Sequence, residues 1–444
     1  MSQKNDNAAG SASRRRFLAA AVAGGAAVAN LSLSQNASGG QVSGNQSSRE
    51  RDEVQARYDL LDKALTQPVF KKHLFSSPVI IKSVELLEYN GGYLCRVRSE
   101  DGAEGIAVAH PSMATMFTIF LRHVQSFFIG QDARELDLLV EKIYIYQFNF
   151  RFNGLALGLP LATIEFAILD MLGKMAGKPA AELIGEIRHP EIGLYVATEY
   201  RELPIDEHFA RVKAEVGKFD VHALKIRVGY QFAGSKNLRD PGLPGKSEKF
   251  VPMIREHYGD DFTLYADANG YYDVAGAIRM GRLLEEYNYG FFEEPVLYWH
   301  FEETKQVADA LTIPISHGEQ DQSYYNFRWL LANDGIDIVE PDTYYTGGFI
   351  RSMRVALMAQ AVGKPCVTHM SGGGLGFLYN ALFVSALPNS VEHHEFKGFD
   401  THVPYECPTS PLTIANGKMK VPTGPGLGVV IDPEFVARHK PVKM

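Results

Sequence analysis

From Gly193 onward the chain repeats a single pattern, in which a short apolar segment is followed by a stretch of helical length. This alternation is typical of parallel βα units. Eight apolar segments occur, at 194–197, 223–228, 262–266, 290–293, 313–317, 336–339, 366–368 and 391–394. Eight successive units predict an α/β fold, a closed TIM-like barrel with seven or eight (β/α) repeats. An open doubly wound sheet is the alternative, but the Gly-rich dinucleotide loop that typically follows its first strand is absent from this sequence.

The part of the chain before the barrel has a different periodicity and predicts an α+β capping domain over residues 54–190. Alternating apolar residues at 79–88, 93–99 and 105–109 predict a small antiparallel sheet. A helical period follows from 113 to 185. The barrel is expected over 191–404, and the Pro- and Gly-rich residues 405–444 are expected to pack back onto the capping domain and complete it. A chain of 444 residues is long enough for two such units.

The N-terminus combines a basic motif with a short apolar run. Ser13-Arg14-Arg15-Arg16-Phe17-Leu18 precedes an Ala-, Gly- and Val-rich segment that ends near Ala29. This segment is too short to cross a hydrocarbon core of about 30 Å, so we expect no stable membrane anchor. We interpret residues 1–29 as a twin-arginine signal peptide and expect export to the periplasm. An ordinary secretory signal and a chance basic cluster are the alternatives. Residues 30–53, rich in Ser, Gly, Asn and Gln, predict a flexible leader before a helix that starts near Glu53.

The net charge limits the classes of partner, and the cysteine content limits the disulfide bonds that can form. The formal net charge of −8 argues against nucleic acid, because phosphate binding needs a basic surface. The net charge does not exclude a small anionic ligand, since a bound cation reverses the electrostatic field of an acidic pocket. Cys95, Cys366 and Cys407 are too few and too scattered for a disulfide framework, although a single bridge is not excluded.

Three predicted strands end in carboxylates, namely Asp267, Glu293 and Glu319. In a (β/α) barrel the reactive groups stand at the C-terminal ends of the strands, so these side chains are expected to converge. Hard oxygen ligands of this kind suit Mg²⁺. A single carboxylate there would more often belong to a surface loop, but three at successive strand ends predict a metal site.

A candidate proton acceptor lies at the seventh strand end, where Thr368 precedes His369. Asp342 ends the sixth strand, and a carboxylate bonded to one ring nitrogen leaves the other nitrogen free to accept a proton. We therefore predict that His369 and Asp342 form a catalytic pair. His317 lies two residues before the metal-ligand candidate Glu319, and we expect it either to contact the substrate or to support the metal ligand.

These motifs together resemble the mandelate racemase/muconate lactonizing enzyme branch of the enolase superfamily, and within it the mandelate racemase-like subgroup. The resemblance covers residues 79–432. Successive site residues are separated by 26, 26, 23 and 27 positions from Asp267 through Glu293, Glu319 and Asp342 to His369. The segments that carry the resemblance are the helix at 162–185, Lys225-x-Arg227, Asp267-x-Asn269, Glu293-Glu294-Pro295, Gly318-Glu319, Pro341-Asp342 with Gly347-Gly348, Thr368-His369 and residues 416–428.

The resemblance implies Mg²⁺-dependent removal of the proton next to a substrate carboxylate, through a stabilised enediolate. It implies that Lys225 contacts that carboxylate and that Asn269 supports the substrate or the metal ligands. It also implies a carboxyl group on the eighth strand that donates a hydrogen bond to the enediolate. Glu392 is the preferred residue for this role, with Glu395 as the rival.

Arg227 departs from the pattern of the family, which often carries a second lysine at this position as a base. A guanidinium is a poor proton acceptor, which weakens a two-base racemisation. The leading expectation is dehydration of a sugar acid, an aldonate or an aldarate, to a 2-keto-3-deoxy acid. Racemisation, epimerisation or cycloisomerisation of another carboxylate is the alternative, and an exported carboxylate-binding relative without turnover is a third. Arg227 itself either binds substrate or forms a buried ion pair.

Two further expectations concern specificity and assembly. In the family, loops of the capping domain choose the substrate, and here these are residues 88–93 and 109–116. The Gly- and Pro-containing insertion at 230–249 is long for a βα loop and is expected to form part of a lid or a subunit contact. We expect a homo-oligomer.

Overall fold

The computed structural model describes residues 43–147, 152–229, 245–371, 375–398 and 402–443. The predicted signal peptide, residues 30–42 of the predicted leader and residues 230–244 of the insertion lie outside these ranges. The first described element is helix α1, Ser43–Leu65. Residues 43–53, expected to be part of a flexible leader, are therefore helical.

Contacts with the barrel explain why helix α1 forms. Arg57 donates a hydrogen bond to the carbonyl of Ala332 at 2.6 Å, and Asp62 pairs with Arg328 at 2.5 Å. Tertiary packing of this kind stabilises the helix that the sequence predicts to start near Glu53. The helix ends shortly before Pro68, which cannot continue it.

The capping domain contains the predicted antiparallel sheet. Its strands are β1, Ile81–Tyr89, β2, Gly92–Ser99, and β3, Glu104–Val108. The helices of this domain are α2, Met113–Ile119, α3, Gln125–Phe128, α4, Leu136–Lys142, α5, Gly154–Ala176, and α6, Ala180–Ile184. A π-helical segment spans Phe120–Val124, and 3₁₀ turns lie at Lys72–Leu74, Ala133–Glu135 and Ile143–Ile145.

Helix α5 forms the centre of the capping domain. Strand β3 approaches it so closely that a Cβ atom added to Gly105 would lie 2.0 Å from the carbonyl oxygen of Ala167. Among the described residues, α5 is the one helix long and apolar enough to cross a membrane, and 89% of its apolar window is buried inside the protein. Burial in a protein core accounts for this composition.

The barrel contains the predicted parallel strands. They are β4, Glu191–Ala197, β5, Ala223–Arg227, β6, Thr263–Asp267, β7, Phe292–Glu293, β8, Ile315–His317, β9, Ile338–Val339, and β10, His393–Phe396. Strands β4 to β9 pair in chain order, and β10 pairs with β4 and closes the sheet. Isolated bridges from Val339 to Cys366 and from Cys366 to Ser390 occupy the seventh strand position. The prediction of a barrel is confirmed.

Helices surround the barrel. They are α7, Ile205–Phe219, α8, Lys246–Tyr258, α9, Val274–Glu286, α10, Phe301–Ala310, α11, Tyr324–Ala332, α12, Phe349–Ala361, and α13, Leu375–Ser385. Glu165 of α5 accepts a hydrogen bond from the backbone of Ile350 at 2.9 Å, at the start of α12. Gly348 has φ +116°, and a Cβ atom there would overlap the Glu165 carboxylate, so this contact between the capping domain and the barrel requires glycine.

The C-terminal segment contacts both domains. It contains β11, Tyr405–Glu406, β12, Ile414–Ala415, β13, Lys418–Lys420, β14, Val430–Ile431, α14, Pro433–Arg438, and β15, Lys440–Pro441. Strand β15 pairs with β1 and extends the sheet of the capping domain, which confirms that the tail completes this domain. Strand β13 pairs antiparallel with β4, so the tail also extends the barrel sheet. Cys95, Cys366 and Cys407 are all free thiols.

Candidate active site

The register of the parallel strands brings the predicted site residues to one level at the C-terminal end of the barrel. Arg227 at the end of β5 pairs with Asp267 at the end of β6, and Asp267 pairs with Glu293 at the end of β7. An isolated parallel bridge joins Asp342 to His369. Neighbouring parallel strands end at the same edge, so residues far apart in sequence share one site.

The side chains of Asp267, Glu293 and Glu319 converge as predicted. Each is buried, and the three offer ligand oxygens that all lie within 4.8 Å of one another. An octahedral Mg²⁺ with bonds of about 2.1 Å places opposite ligands about 4 Å apart, so this spacing fits such an ion. Oε1 of Glu293 and Oε2 of Glu319 have no hydrogen-bond partner among the described residues. Buried carboxylate oxygens without donors are expected where a cation completes the site.

His369 lies beside this carboxylate cluster, and its two ring nitrogens contact different carboxylates. Its Nδ1 atom is 2.8 Å from Oδ2 of Asp342, and its Nε2 atom is 3.2 Å from Oε2 of Glu319. The other carboxylate oxygen of Asp342 accepts backbone hydrogen bonds from Tyr344 and Tyr345 at 2.7 and 2.9 Å. Asp342 is therefore fixed, and it orients the imidazole with Nε2 towards the cluster.

Neighbouring charges of opposite sign shift the pKa values of His369 and Glu319. Burial alone would lower the pKa of His369, but Glu319, Glu395 and the hydrogen bond to Asp342 raise it above its ordinary value. Burial alone would raise the pKa of Glu319, but His369 and Arg227 lower it to about 2. The imidazole is accordingly a stronger base than a free histidine.

Lys225 is fully buried inside the barrel and carries several ion pairs. Its Nζ atom contacts Glu293 and lies 3.0 Å from Oε1 of Glu395. Burial alone would lower the pKa of Lys225, but Glu293, Glu395 and the phenol of Tyr195 hold it well above its usual value. Lys225 is therefore a fixed positive charge at the position that the sequence predicts.

Arg227 is held on all sides by partners within the protein. It forms an ion pair with Asp267, donates to Oδ1 of Asn269 at 3.0 Å, and donates to Oε1 of Glu199 at 3.2 Å. Asn269 also accepts a hydrogen bond from Arg201 at 3.0 Å. Of the two roles open for Arg227, the geometry favours the buried ion pair, with Asn269 as the amide that organises the guanidinium groups.

The preference for Glu392 over Glu395 is wrong. Strand β10 begins at His393, two residues later than predicted, so Glu392 lies before the strand, exposed at the opposite end of the barrel. There it lines a cavity of about 330 Å³ together with Lys418. Glu395 instead faces the site, and its Oε2 atom accepts a hydrogen bond from the backbone of Met370 at 2.7 Å.

The ionisation of Glu395 also differs from the expected role of the eighth-strand carboxyl group. Burial would raise the pKa of Glu395, but the positive charges of Lys225, Lys397 and His369 hold it well below its usual range. An ionised carboxylate accepts hydrogen bonds and cannot donate one. Glu395 therefore forms ion pairs with its cationic neighbours instead of donating a hydrogen bond.

His317 is fully buried and contacts Asp321 rather than the carboxylate cluster. Its Nε2 atom lies 3.3 Å from Oδ2 of Asp321, whose other oxygen accepts a hydrogen bond from Asn326 at 2.7 Å. This contact joins a residue two positions before Glu319 to a residue two positions after it. His317 therefore lies beside the turn that presents Glu319.

One of the two predicted specificity loops lies next to the catalytic pair. The ring of His110 packs against that of Tyr345 at 5.7 Å, and Tyr345 lies 6.0 Å from the ring of His369. In the other loop, Tyr89 packs against Phe435 of the C-terminal helix α14, with ring centroids 6.3 Å apart. The stretch at 109–116 thus approaches the base, whereas Tyr89 in the stretch at 88–93 contacts the tail.

Three polar residues of the site were not identified from the sequence. Glu340 lies buried at 3.7 Å from Lys225, Glu199 holds Arg227, and Lys397 lies 3.6 Å from Oε2 of Glu395. Strand alternation could have found Lys397, because it stands two residues after Glu395 and so shares its face.

The fold and the site together define an enzyme of the enolase type, with an α+β capping domain over a (β/α) barrel and three acidic strand ends. Residues 83–185 match the mandelate racemase/muconate lactonizing enzyme N-terminal domain, and residues 198–435 match the enolase C-terminal domain-like family. The chain belongs to the mandelate racemase/muconate lactonizing enzyme family of the enolase superfamily.

Several characterised proteins and solved structures are similar to this chain. An arabinonate dehydratase of Saccharolobus solfataricus is 28% identical over 305 residues, which cover 68% of this chain and 78% of the relative. A D-galactarolactone cycloisomerase of Agrobacterium fabrum is 28% identical over 360 residues, covering 78% and 90%. A mandelate racemase/muconate lactonizing protein of Paracoccus denitrificans, solved in complex with magnesium, is 27% identical with a TM-score of 0.72, covering 82% of this chain and 99% of that structure.

Proposed function

We propose that this protein is a Mg²⁺-dependent dehydratase of sugar acids, which converts an aldonate or aldarate to a 2-keto-3-deoxy acid. The observation that carries the proposal is the position of His369, held by Asp342 at 2.8 Å and directed at the buried carboxylate cluster. The similarity to an arabinonate dehydratase supports the substrate class.

Asp267, Glu293 and Glu319 are the residues that would hold the ion. Their buried oxygen donors fit Mg²⁺ better than softer metals, which prefer nitrogen or sulfur ligands. When bound, Mg²⁺ supplies positive charge that stabilises the enediolate form of the substrate carboxylate.

His369 is the residue that removes the proton next to the carboxylate. With Nδ1 bonded to Asp342, the free lone pair lies on Nε2, which faces the cluster. Well-placed general bases contribute about 10²- to 10⁴-fold to such reactions. Lys225, a buried permanent cation, places a positive charge near the substrate carboxylate.

Dehydration is favoured over racemisation because Arg227, the described residue expected on the second face of the substrate, is not a competent base. Arg227 stands at the position where related enzymes carry a basic lysine. Burial alone would lower the pKa of Arg227, but Glu199 and Glu395 raise it above its usual value, so the guanidinium stays protonated. With one base, removal of the α-proton followed by loss of a β-hydroxyl needs no proton acceptor on the opposite face.

The alternative within the same chemistry is epimerisation or cycloisomerisation, which the similarity to a galactarolactone cycloisomerase supports. One experiment separates the candidates. The purified protein is incubated with a library of aldonates and aldarates, with and without Mg²⁺, in D₂O. Formation of a 2-keto acid supports dehydration, whereas deuterium uptake without loss of water supports isomerisation. Binding of a sugar acid with neither outcome would identify a carboxylate-binding relative without turnover.

A further inference from the structure

We propose that Lys397 is the general acid that protonates the departing β-hydroxyl group, an inference that rests on the proposed dehydration. Family resemblance points to His369 alone for proton handling at this site. The structure adds a second proton-carrying side chain beside it.

Lys397 and His369 lie on either side of a single oxygen atom. Oε2 of Glu395 is 3.6 Å from Nζ of Lys397 and 3.6 Å from Nε2 of His369. The ammonium also donates a hydrogen bond to the carbonyl of Met370, the residue after His369, at 3.1 Å. Lys397 is therefore positioned by the same strand ends that position the base.

Three other cations that the structure describes at this end of the barrel are engaged elsewhere. Lys225 is fully buried between Glu293 and Glu395. Arg227 donates to two partners and pairs with a third, and a guanidinium is a poor acid. Lys246 donates to three backbone carbonyls, at 2.7, 3.1 and 3.2 Å.

Partial exposure suits Lys397 to repeated proton delivery. Its side chain is 28% exposed, whereas that of Lys225 is 0% exposed. The amine can therefore recover a proton from solvent after each turnover. Glu199, 4.0 Å away, and Glu395 lie on either side of the ammonium and limit its positions.

The proposed step balances as follows. The α C–H bond breaks and its proton passes to Nε2 of His369, while its electron pair forms the C=C bond. The C–O bond to the β-hydroxyl breaks, and an N–H bond of Lys397 supplies the proton that turns the leaving group into water. The enol that remains tautomerises to the 2-keto acid, the His369 imidazolium releases its proton to solvent, and solvent returns a proton to Lys397.

The test compares wild type with Lys397→Met on two matched substrates, a sugar acid and its 3-deoxy-3-fluoro analogue. Fluoride leaves without a proton, so an acid is needed only for the hydroxyl substrate. We expect Lys397→Met to lower dehydration about 10²- to 10⁴-fold while α-proton exchange in D₂O and fluoride elimination stay near wild type. Lys397→Arg keeps the charge and is expected to dehydrate as poorly as Lys397→Met. Lys418→Met, at the opposite end of the barrel, is the control.

Two outcomes would overturn the assignment. Full dehydration by Lys397→Met would leave the proton transfer to the His369 imidazolium. Parallel loss of dehydration, exchange and fluoride elimination would make Lys397 a residue that only positions the substrate. Failure of the proposed function itself is seen separately, as wild-type protein with Mg²⁺ that neither exchanges nor dehydrates any sugar acid.

Discussion

The carboxylate of Asp342 lies 2.8 Å from Nδ1 of His369 and is itself held by two backbone N–H groups. One residue thus determines which nitrogen of the imidazole faces the acidic cluster. Because the partner is anchored by backbone, the imidazole does not depend on the substrate for its orientation. This arrangement leads to the first of the following predictions.

Replacing His369 with Asn is expected to lower turnover at least about 10³-fold, because the imidazole proposed to accept the α-proton is lost. Deuterium exchange at the α-carbon should fall with it, whereas binding of Mg²⁺, measured by calorimetry, should persist. His300→Asn, at a partly exposed histidine paired with Glu303, is the control. An active His369→Asn enzyme would show that another residue is the base.

Replacing Glu293 with Gln is expected to weaken Mg²⁺ binding by at least about tenfold, because one of the three anionic ligands becomes neutral. Activity should then require more Mg²⁺ for half-maximal rate, and a chelator should abolish it in the wild type. Calorimetry with Mg²⁺ alone checks the binding without reference to a substrate. Unchanged affinity in Glu293→Gln would place the ion elsewhere.

Glu392, just before β10, and Glu395, within β10, provide a matched pair of substitutions. Glu395→Gln removes a carboxylate that lies 3.0 Å from Lys225 and 3.6 Å from His369, and we expect activity to fall at least about tenfold. Glu392→Gln changes an exposed side chain at the opposite end of the barrel and should leave kcat and KM near wild type. Equal losses in the two variants would contradict the position of β10.

Replacing glycine with alanine should have opposite effects on stability at two positions. Gly105→Ala introduces a Cβ atom 2.0 Å from a backbone oxygen of Ala167, and we expect a loss of about 1–3 kcal/mol in the free energy of unfolding. Gly217 lies within helix α7 with open space around it, so Gly217→Ala should stabilise the protein by about 0.5–1 kcal/mol. Denaturant titration measures the free energy of unfolding of each variant. An unchanged value for Gly105→Ala would mean that β3 and α5 can move apart without loss of stability.

We also propose that the chain is exported through its twin-arginine motif. Changing Arg14 and Arg15 to lysine should retain the protein in the cytoplasm, because this export route depends on the arginine pair. Fractionation of cells that produce either form measures the distribution. A Lys-Lys form that still reaches the periplasm would point to an ordinary secretory signal.

Local pattern was enough to predict much of the fold. Most parallel strands of the barrel are short and largely apolar, because burial on both faces favours such runs regardless of the surrounding chain, whereas β10 has the sequence His-His-Glu-Phe. The acidic residues Asp267, Glu293 and Glu319 follow three of these runs, so the strand periodicity alone predicted their meeting. The pairing of His369 with Asp342 followed from the same rule, because adjacent parallel strands end at one edge.

The leader and the ion pairs of the site could not be predicted in this way. Residues 43–53 form the start of α1, and the contacts of α1 with the barrel join Arg57 and Asp62 to residues 275 and 266 positions away, which local composition does not reveal. The role of Arg227 was likewise open, since its partners come from two other strand ends, Asp267 and Asn269 from β6 and Glu199 from β4.

The sequence by itself determined that apolar strands alternate with helices and that polar groups able to bind a metal and accept a proton stand at the strand ends. Only the tertiary structure decided which eighth-strand carboxylate faces inward. Glu392 and Glu395 are three residues apart and so point to opposite faces, and each is flanked by residues that suit a strand. The pairing of His393–Phe396 with residues 193–196 of β4 selects Glu395, because strand register depends on the neighbouring strand rather than on local pattern.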